Sequence, residues 1–350
     1  MEQKKATVRL MGTIIDLLVT HTHPDAILEE AIRRLRIYEQ RFSANDPKSE
    51  LMQINHLAGK APLAVHPDLF HLIKVGKYHS LAPNSRLNIA IGPLVQTWRI
   101  GFGDAKVPDA EEIQRLLEIT DPNKSLLSEK DQTVFLQQEG MSIDLGALAK
   151  GYIADLLTDY FKKAGVASAL INLGGNVVVF GPSQNNEDPY WRIGIQNPML
   201  PRAHYSAVLK IQNQSAVTSG VYERQLEAQG KHYHHILDPQ TGYPAETDVI
   251  SLTVVADDSV DGEIWTTRLF GQPADVILAA LDHSEAINGI LITRAGIEAF
   301  ILTLGTMGIY RSLVPWLADG GTLSLGYEMR EMYRPVYYGG LFGIAWPILV

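Results

Sequence analysis

The sequence predicts an α+β protein in which antiparallel β-sheets are flanked by helices. Three observations predict it. Short alternating runs of apolar and polar residues recur along the chain, separated by turn chemistry. A few amphipathic stretches of helical period lie among them, without the regular strand–helix–strand alternation of a parallel sheet. The glycine pair that follows the run 168–173 is not the dinucleotide-binding fingerprint, and no helix follows it.

The elements follow in order. Residues 6–20 alternate as an opening strand pair with Met11, Gly12 and Thr13 in its middle. Pro24 and Asp25 open a helix to about Phe42, with Ile27, Ala31, Leu35 and Tyr38 on one stripe. Residues 43–55 read as a polar loop, because Asn45, Asp46 and Pro47 are turn residues. A second helix runs from Pro67 to about residue 81, and a short one spans 107–120. A hairpin covers 122–143. Residues 144–165 then read as a helix with Leu145, Leu148, Tyr152, Leu156 and Phe161 on one face, and Gly165 ends it. Strands follow at 168–173, after the glycine pair, and at 190–196, 205–211 and 249–256. Helices are expected at 259–270 and 273–282, and a last hairpin at 289–292 and 298–303. Residues 305–350 stand apart as an extension, which makes 1–304 the principal domain.

Composition bounds the function. The chain has 350 residues, 46% of them apolar and 20% charged, enough for a sizeable core. A net charge of -9 argues against nucleic acid as partner, although one basic group or a metal ion suffices to hold a small phosphate ligand. Without any cysteine, thiolate metal sites, iron–sulfur clusters, disulfides and thiol nucleophiles are excluded. The first ten residues show neither an apolar leader core nor a lipobox cysteine, and a cytoplasmic location is expected. No stretch has the length of a membrane span. The most apolar run, 336–350 (VYYGGLFGIAWPILV), is short and broken by Gly339, Gly340 and Pro347.

Four segments carry candidate chemistry. Residues 142–152 (SIDLGALAKGY) read first as a helix start capped by Asp144, with small residues for close packing; read for function, Gly146 and Ala147 leave backbone groups open to a ligand, and Lys150 lies one turn further in to meet a phosphate. Leu173, Gly174, Gly175 and Asn176 read as a tight turn. Thr218, Ser219 and Gly220 precede 231–244 (KHYHHILDPQTGYP), in which histidines sit beside a rigid turn; a neutral imidazole there can act as base or orient a phosphate. Zinc is disfavoured because His234 and His235 are adjacent and point apart. In 256–267 (ADDSVDGEIWTT), Glu263 and Thr267 are four apart on a helix and share a face. Their oxygens suit magnesium, and the plain alternative is an acidic helix start with a back-bonded threonine.

Taken together and in order, these segments resemble the ApbE family of FAD:protein FMN transferases, from about residue 7 to about 303. The resemblance also rests on Phe42, Ser43, Ser49, Glu50 and Asn55, and on 88–94 (NIAIGPL). Its most specific pieces are 144–151 (DLGALAKG) and 235–242 (HILDPQTG). It implies the flavin transferase fold and a Mg²⁺-dependent transfer of the FMN half of FAD to a threonine of an acceptor flavoprotein, with release of AMP. The metal ligands it implies are the Ala147 carbonyl, Glu263 and Thr267. Glu263 stands where the family has Asp, and Asp261 is the competing ligand, with Trp265 as its fourth neighbour. The FAD contacts it implies are Met11, Asn45, Arg86, Leu87, Asn88, Asp144 and Lys150. Asn45 replaces a common Trp, and Asn88 a common Asp. His235 matches the family's loop histidine and, with Lys150, is the expected catalytic group. Two alternatives stay open: hydrolysis of FAD to FMN and AMP, and non-catalytic FAD binding, which the substitutions at positions 45, 88 and 263 motivate.

Overall fold

In the computed structural model, β1 (Glu2–Leu10) and β2 (Thr13–His21) form the opening pair and turn at Met11 and Gly12, with φ of 52° and 69°. The structure describes residues 1–293 apart from Gln229 and Glu285, together with two short strands near the C-terminus. Helix α1 (Pro24–Phe42) follows. Its stripe Ile27, Leu28, Ala31, Leu35, Tyr38 and Phe42 is buried. Each large side chain on that stripe contributes about 1.5–3 kcal/mol by leaving water, an upper figure because the unfolded chain is itself partly collapsed.

The expected loop 43–55 contains a helix, α2 (Glu50–His56). Ser49 caps it by accepting from the Met52 N–H at 3.0 Å, and that capping serine was read as loop chemistry. After β3 (Leu63–Ala64) come α3 (Pro67–Ser80), α4 (Gly92–Trp98) and α5 (Ala110–Leu117). Helix α4 was not expected; at seven residues it is too short to show a period. β4 (Ser125–Ser128) and β5 (Thr133–Leu136) complete a small sheet in the order β3-β5-β4.

Helix α6 spans Ala149–Lys163, five residues later than the expected start. Asp144 is therefore not its cap. Its Oδ1 accepts from the Gly146 N–H at 2.7 Å and closes a local turn, so 144–148 stays non-helical. Because the helix starts later, its most buried face shifts to Gly151, Ile153, Ala154, Leu157 and Phe161. Then come β6 (Ser168–Leu173), β7 (Asn176–Phe180), β8 (Trp191–Gln196), β9 (Tyr205–Ile211), β10 (Gln214–Gly220), β11 (Gln225–Ala228), β12 (Lys231–His234) and β13 (Val249–Ala256). Helices α7 (Ser259–Leu269) and α8 (Ala274–Asp282) and strand β14 (Ile287–Thr293) finish this part. β14 pairs with β13; the hairpin partner expected at 298–303 lies outside the described residues.

The central sheet has the order β1-β2-β6-β7-β10-β13-β14, and every neighbouring pair is antiparallel. One face carries the helices: Ile15, Leu17, Val19, Ile171, Leu173 and Val178 pack with α1 and α6, and Leu252, Val254 and Ala256 with the α7 and α8 residues Leu269, Ile277 and Leu281. The other face is covered by the β8–β9 hairpin through Trp191, Ile195, Leu209 and Ile211 against Val179, Ala216 and Val255. β13 is buried along its whole length because both its faces are covered. The chain divides into two units, Met1–Thr306 and Met307–Val350. Within the second, the described residues are the antiparallel strands β15 (Gly340–Leu341) and β16 (Ile344–Ala345). The rest of the extension 305–350 lies outside the described residues, the apolar run 336–350 included apart from those four positions.

Helices α6 and α7 cross closely. A Cβ on Gly151 would lie 2.5 Å from the Ser259 carbonyl oxygen and 2.7 Å from Glu263 Cγ. Asp155, one turn further along α6, accepts the Ser259 and Val260 N–H groups at 2.8 Å each and so satisfies two of the four unpaired donors at the start of α7. Burial pushes the Asp155 carboxyl up to about 7, against those two donors, which pull the other way. Gly151→Ala is expected to lower stability by about 1–3 kcal/mol despite the better helix propensity of alanine, because the backbone of α7 must move. Chemical denaturation of the two proteins checks this.

Candidate functional site

A cavity of about 640 Å³ opens between the helical face, the loops that precede α4 and α6, the β8 strand and the 220–237 segment. That volume is in the range of small-molecule and cofactor sites. Ten sequence-predicted residues line it: Asn45, Arg86, Leu87, Asn88, Asp144, Ala147, Lys150, His235, Glu263 and Thr267. Met11 is not among the lining residues. Its N–H donates to Glu39 Oε1 at 2.6 Å, its side chain packs on the main core, and its turn neighbours Gly12 and Thr13 reach the cavity instead.

Several motif residues hold the walls together. Asn55 brackets Ile143: its Oδ1 accepts the Ile143 N–H at 2.8 Å and its Nδ2 donates to the carbonyl at 3.0 Å. The Asp144 N–H donates to the Ile89 carbonyl at 2.9 Å, tying the 88–94 segment to the start of the α6 loop. Gly92 is required there because a Cβ would collide with the backbone of Ser142. Asn88 is committed to its own loop, accepting from the Ala90 N–H and donating to the Thr120 carbonyl, both at 2.8 Å. Gly174 and Gly175 make the two-residue β6–β7 turn, with Leu173 paired to Asn176.

The loop after β12 is rigid for a visible reason. The Asp238 N–H donates to the Tyr243 carbonyl at 2.7 Å, the Gly242 N–H to the Asp238 carbonyl at 2.8 Å, and Trp98 Nε1 to the Gly242 carbonyl at 2.8 Å. Asp238 also pairs with Arg86 at 2.5 Å, which fixes that guanidinium at the cavity edge. The two adjacent imidazoles separate. His234 is buried, with its Nε2 3.0 Å from the Ala245 carbonyl, while His235 lines the cavity.

The oxygens of the 256–267 segment divide in the same way. Glu263 is 4% exposed; its Oε1 accepts from Asn176 Nδ2 at 2.9 Å and lies 3.6 Å from Lys150 Nζ. Its Oε2 has no hydrogen-bond partner among the described residues. The back-bonded threonine is Thr266, which donates to the Gly262 carbonyl at 2.9 Å, and the Thr267 hydroxyl has no such partner among the described residues. Asp261, half-buried, is not in the cavity lining, and its carboxyl is raised by burial and by Asp258 and Asp257 beside it. Ala147 is exposed and lines the same cavity. Glu263, Thr267 and Ala147 thus line one cavity with Lys150, residues whose carboxylate, hydroxyl and main-chain oxygens are of the kind suited to a hard divalent cation.

His235 is held neutral. Burial is the largest cause and the Arg224 guanidinium the second, and together they push the imidazole down to about 4. Its Nδ1 is buried without a partner. Asp144 moves the opposite way: burial raises its carboxyl, offset in part by the Gly146 N–H. Sequence reasoning missed several lining residues. Arg224 lies four residues after Gly220, with its stem against Gly101, where a Cβ would lie 2.8 Å from Cδ. Val95, Trp98, Ile100 and Phe102 join Ile91 of the expected 88–94 segment in one apolar wall. Apart from Ile91 none of these stands in a motif; the Gly-Gly-Asn run was the available signal for Asn176, which is buried against Glu263 behind the lining, and it reads equally as turn chemistry.

The His235 shift has a consequence for stability. Between about pH 4 and 6.5 the unfolded chain binds a proton that the folded site refuses, so this contribution is complete above pH 6.5 and is lost as pH falls through about 4. The difference in unfolding free energy between the wild type and His235→Gln is expected to move against the wild type across that window. A difference constant with pH would show an ordinary imidazole.

Comparison with known proteins agrees with this architecture. The family model described as the ApbE family matches residues 11–291. A Klebsiella pneumoniae protein named FAD:protein FMN transferase is 45% identical over 285 residues, 81% of this chain and 87% of the relative. A Treponema pallidum protein of the same name is 34% identical, covering 81% of this chain and 82% of its own length. The crystal structure of the ApbE protein from Thermotoga maritima superposes with a TM-score of 0.75 at 25% identity, over 84% of this chain and 96% of that one. No helix among the described residues is long and apolar enough to cross a membrane.

Proposed function

The chain belongs to the ApbE family, and from that premise we propose that it is an FAD:protein FMN transferase that moves the FMN half of FAD to a threonine hydroxyl of an acceptor flavoprotein, with Mg²⁺ in the cavity and AMP as the other product. The relatives' names support flavin transfer from FAD to a protein. One observation supports the finer reading: Glu263, Thr267 and the exposed Ala147 line the same cavity as Lys150 and a neutral His235.

That oxygen-only set fits Mg²⁺, with Ala147, Glu263 and Thr267 as its protein ligands. When bound, the ion would withdraw charge from the diphosphate oxygens and leave coordination positions for substrate and water. The remaining roles fall to the chain's own residues. Lys150, 34% exposed in its side chain, reaches the cavity to meet the pyrophosphate. Arg86, steadied by Asp238, Leu87 and Asn88 border the flavin half, and the apolar wall around Ile91 and Trp98 suits the isoalloxazine. Asn45 and Asp144 complete the FAD contacts, with Met11 behind the Gly12–Thr13 turn.

In the transfer the acceptor oxygen forms a bond to the FMN phosphorus while the bond to the bridging oxygen breaks, and AMP departs with that oxygen and its charge. The neutral imidazole of His235, which lines the cavity, takes the hydroxyl proton in this reading, and orienting the phosphate is the other role open to it. Such acid–base help is typically worth about 10²–10⁴-fold. We assign this activity to residues 1–304 and none of it to 305–350.

Glu263→Ala and Thr267→Ala are each expected to lower Mg²⁺-dependent AMP release by about 100-fold or more while the fold survives. Full activity in both would remove the metal site. His235→Ala should slow turnover far more than it weakens FAD binding. Mass spectrometry of an acceptor domain incubated with enzyme, FAD and Mg²⁺ should show added FMN on threonine. AMP and free FMN without adduct would identify a hydrolase, and tight FAD binding without AMP a binding protein.

A further inference from the structure

We infer that Asn176 is a positioning residue that orients Glu263 for the divalent cation; this rests on the metal site proposed above. Asn176 is 1% exposed and is the first residue of β7, directly after the two-glycine turn. Its Nδ2 donates to Glu263 Oε1 at 2.9 Å, and its Oδ1 accepts from Ser259 Oγ at 2.8 Å. Ser259 and Glu263 are four apart on α7 and so lie one above the other on a single face. The carboxamide therefore spans two successive turns of the helix. Ser259 is itself fully buried, and its N–H is held by Asp155 of α6 at 2.8 Å.

This chain of bonds selects both residue type and orientation. A carboxamide presents a donor at one end and an acceptor at the other. Reversing it would set Oδ1 against the Glu263 carboxylate, and the hydroxyl of Ser259 reads the other end. Aspartate has no donor to offer when ionised, and alanine reaches neither partner. With Oε1 occupied by Asn176 and faced by Lys150, the carboxylate cannot rotate freely, and Oε2 is the oxygen left for the cavity. Residues one bond removed from a metal ligand commonly act in this way, by fixing the ligand's rotamer before the ion arrives. The glycine pair brings Asn176 to this place: the turn is too tight for any longer excursion, so β7 begins beneath α7.

The test reads binding, not turnover. Mn²⁺ is titrated into the full-length protein without nucleotide, and free Mn²⁺ is followed by its electron paramagnetic resonance signal. FAD affinity is measured separately by flavin fluorescence without metal. Asn176→Ala is expected to weaken Mn²⁺ binding by about 10–100-fold with FAD affinity unchanged. Ser259→Ala, which removes only a hydroxyl and frees the far end of the carboxamide, should give a smaller loss in the same direction; it also serves if the Asn176 variant does not fold. Unchanged Mn²⁺ affinity in a folded variant overturns the inference, as does a parallel loss of Mn²⁺ and FAD binding, which would mark general damage. A wild type that binds no Mn²⁺ overturns the metal site itself, and the inference with it.

Discussion

The close crossing of α6 and α7 at Gly151 is the constraint on which the rest of the site depends. Because residue 151 has no side chain, the Ser259 carbonyl and the stem of Glu263 come within van der Waals reach of the α6 backbone. Lys150, the residue before, then stands 3.6 Å from the Glu263 carboxylate. Asp155 binds the start of α7 from below, and Asn176 binds its first two turns from the sheet. A buried carboxylate is costly unless its oxygens are satisfied. Here one oxygen is satisfied by the fold, and the proposed cation would take the other, so a structural demand and a proposed functional one meet in the same residue.

Basic groups gather at this cavity although the chain as a whole is acidic. The protein carries -9, yet Arg86, Arg99, Lys150 and Arg224 line the cavity, facing the carboxyl groups of Asp144, Glu223 and Glu263. Their environments differ. Arg86 is paired with Asp238, whereas Arg224 has no ion-pair partner among the described residues. Lys150 is shared with Glu263. Burial and the nearby guanidinium keep His235 without charge, so the imidazole retains a lone pair in a cationic surrounding. The diphosphate of the proposed substrate would meet these cations, and the acidic surface elsewhere does not oppose it at the short range where desolvated charges act.

The legible parts of the fold were those with a period or a stop signal. Helices α1, α3 and α8 each have an apolar stripe or a proline start, α7 begins directly after the acidic pair Asp257 and Asp258, and their bounds fall within a few residues of expectation. Helices α2 and α4, at seven residues each, are too short to display periodicity. The β11–β12 hairpin was hidden because its strands are four residues long and rich in polar side chains. The start of α6 was misplaced because Asp144 can cap a helix or close a turn with equal ease, and only the Ile89 carbonyl, distant in sequence, decides for the turn. Among site residues, the i,i+4 relation of Glu263 and Thr267 was readable. The freedom of the Thr267 hydroxyl was not, since Thr266 beside it could as well have been the free one.

The ordered motifs determined by themselves the family resemblance, the α+β class and the identities of the candidate groups, because residue chemistry and short-range spacing are written directly in the chain. The tertiary structure alone decided which of these groups converge. It set Met11 behind its turn, Asp261 outside the cavity and Arg224 inside it, and it turned Asn176 from a turn residue into a bracket for Glu263. The physical reason is that such relations join residues 87 and 83 positions apart, for Asn176 with Glu263 and with Ser259. Contacts at that separation are set by sheet order and by the closeness of two helices, not by local propensity.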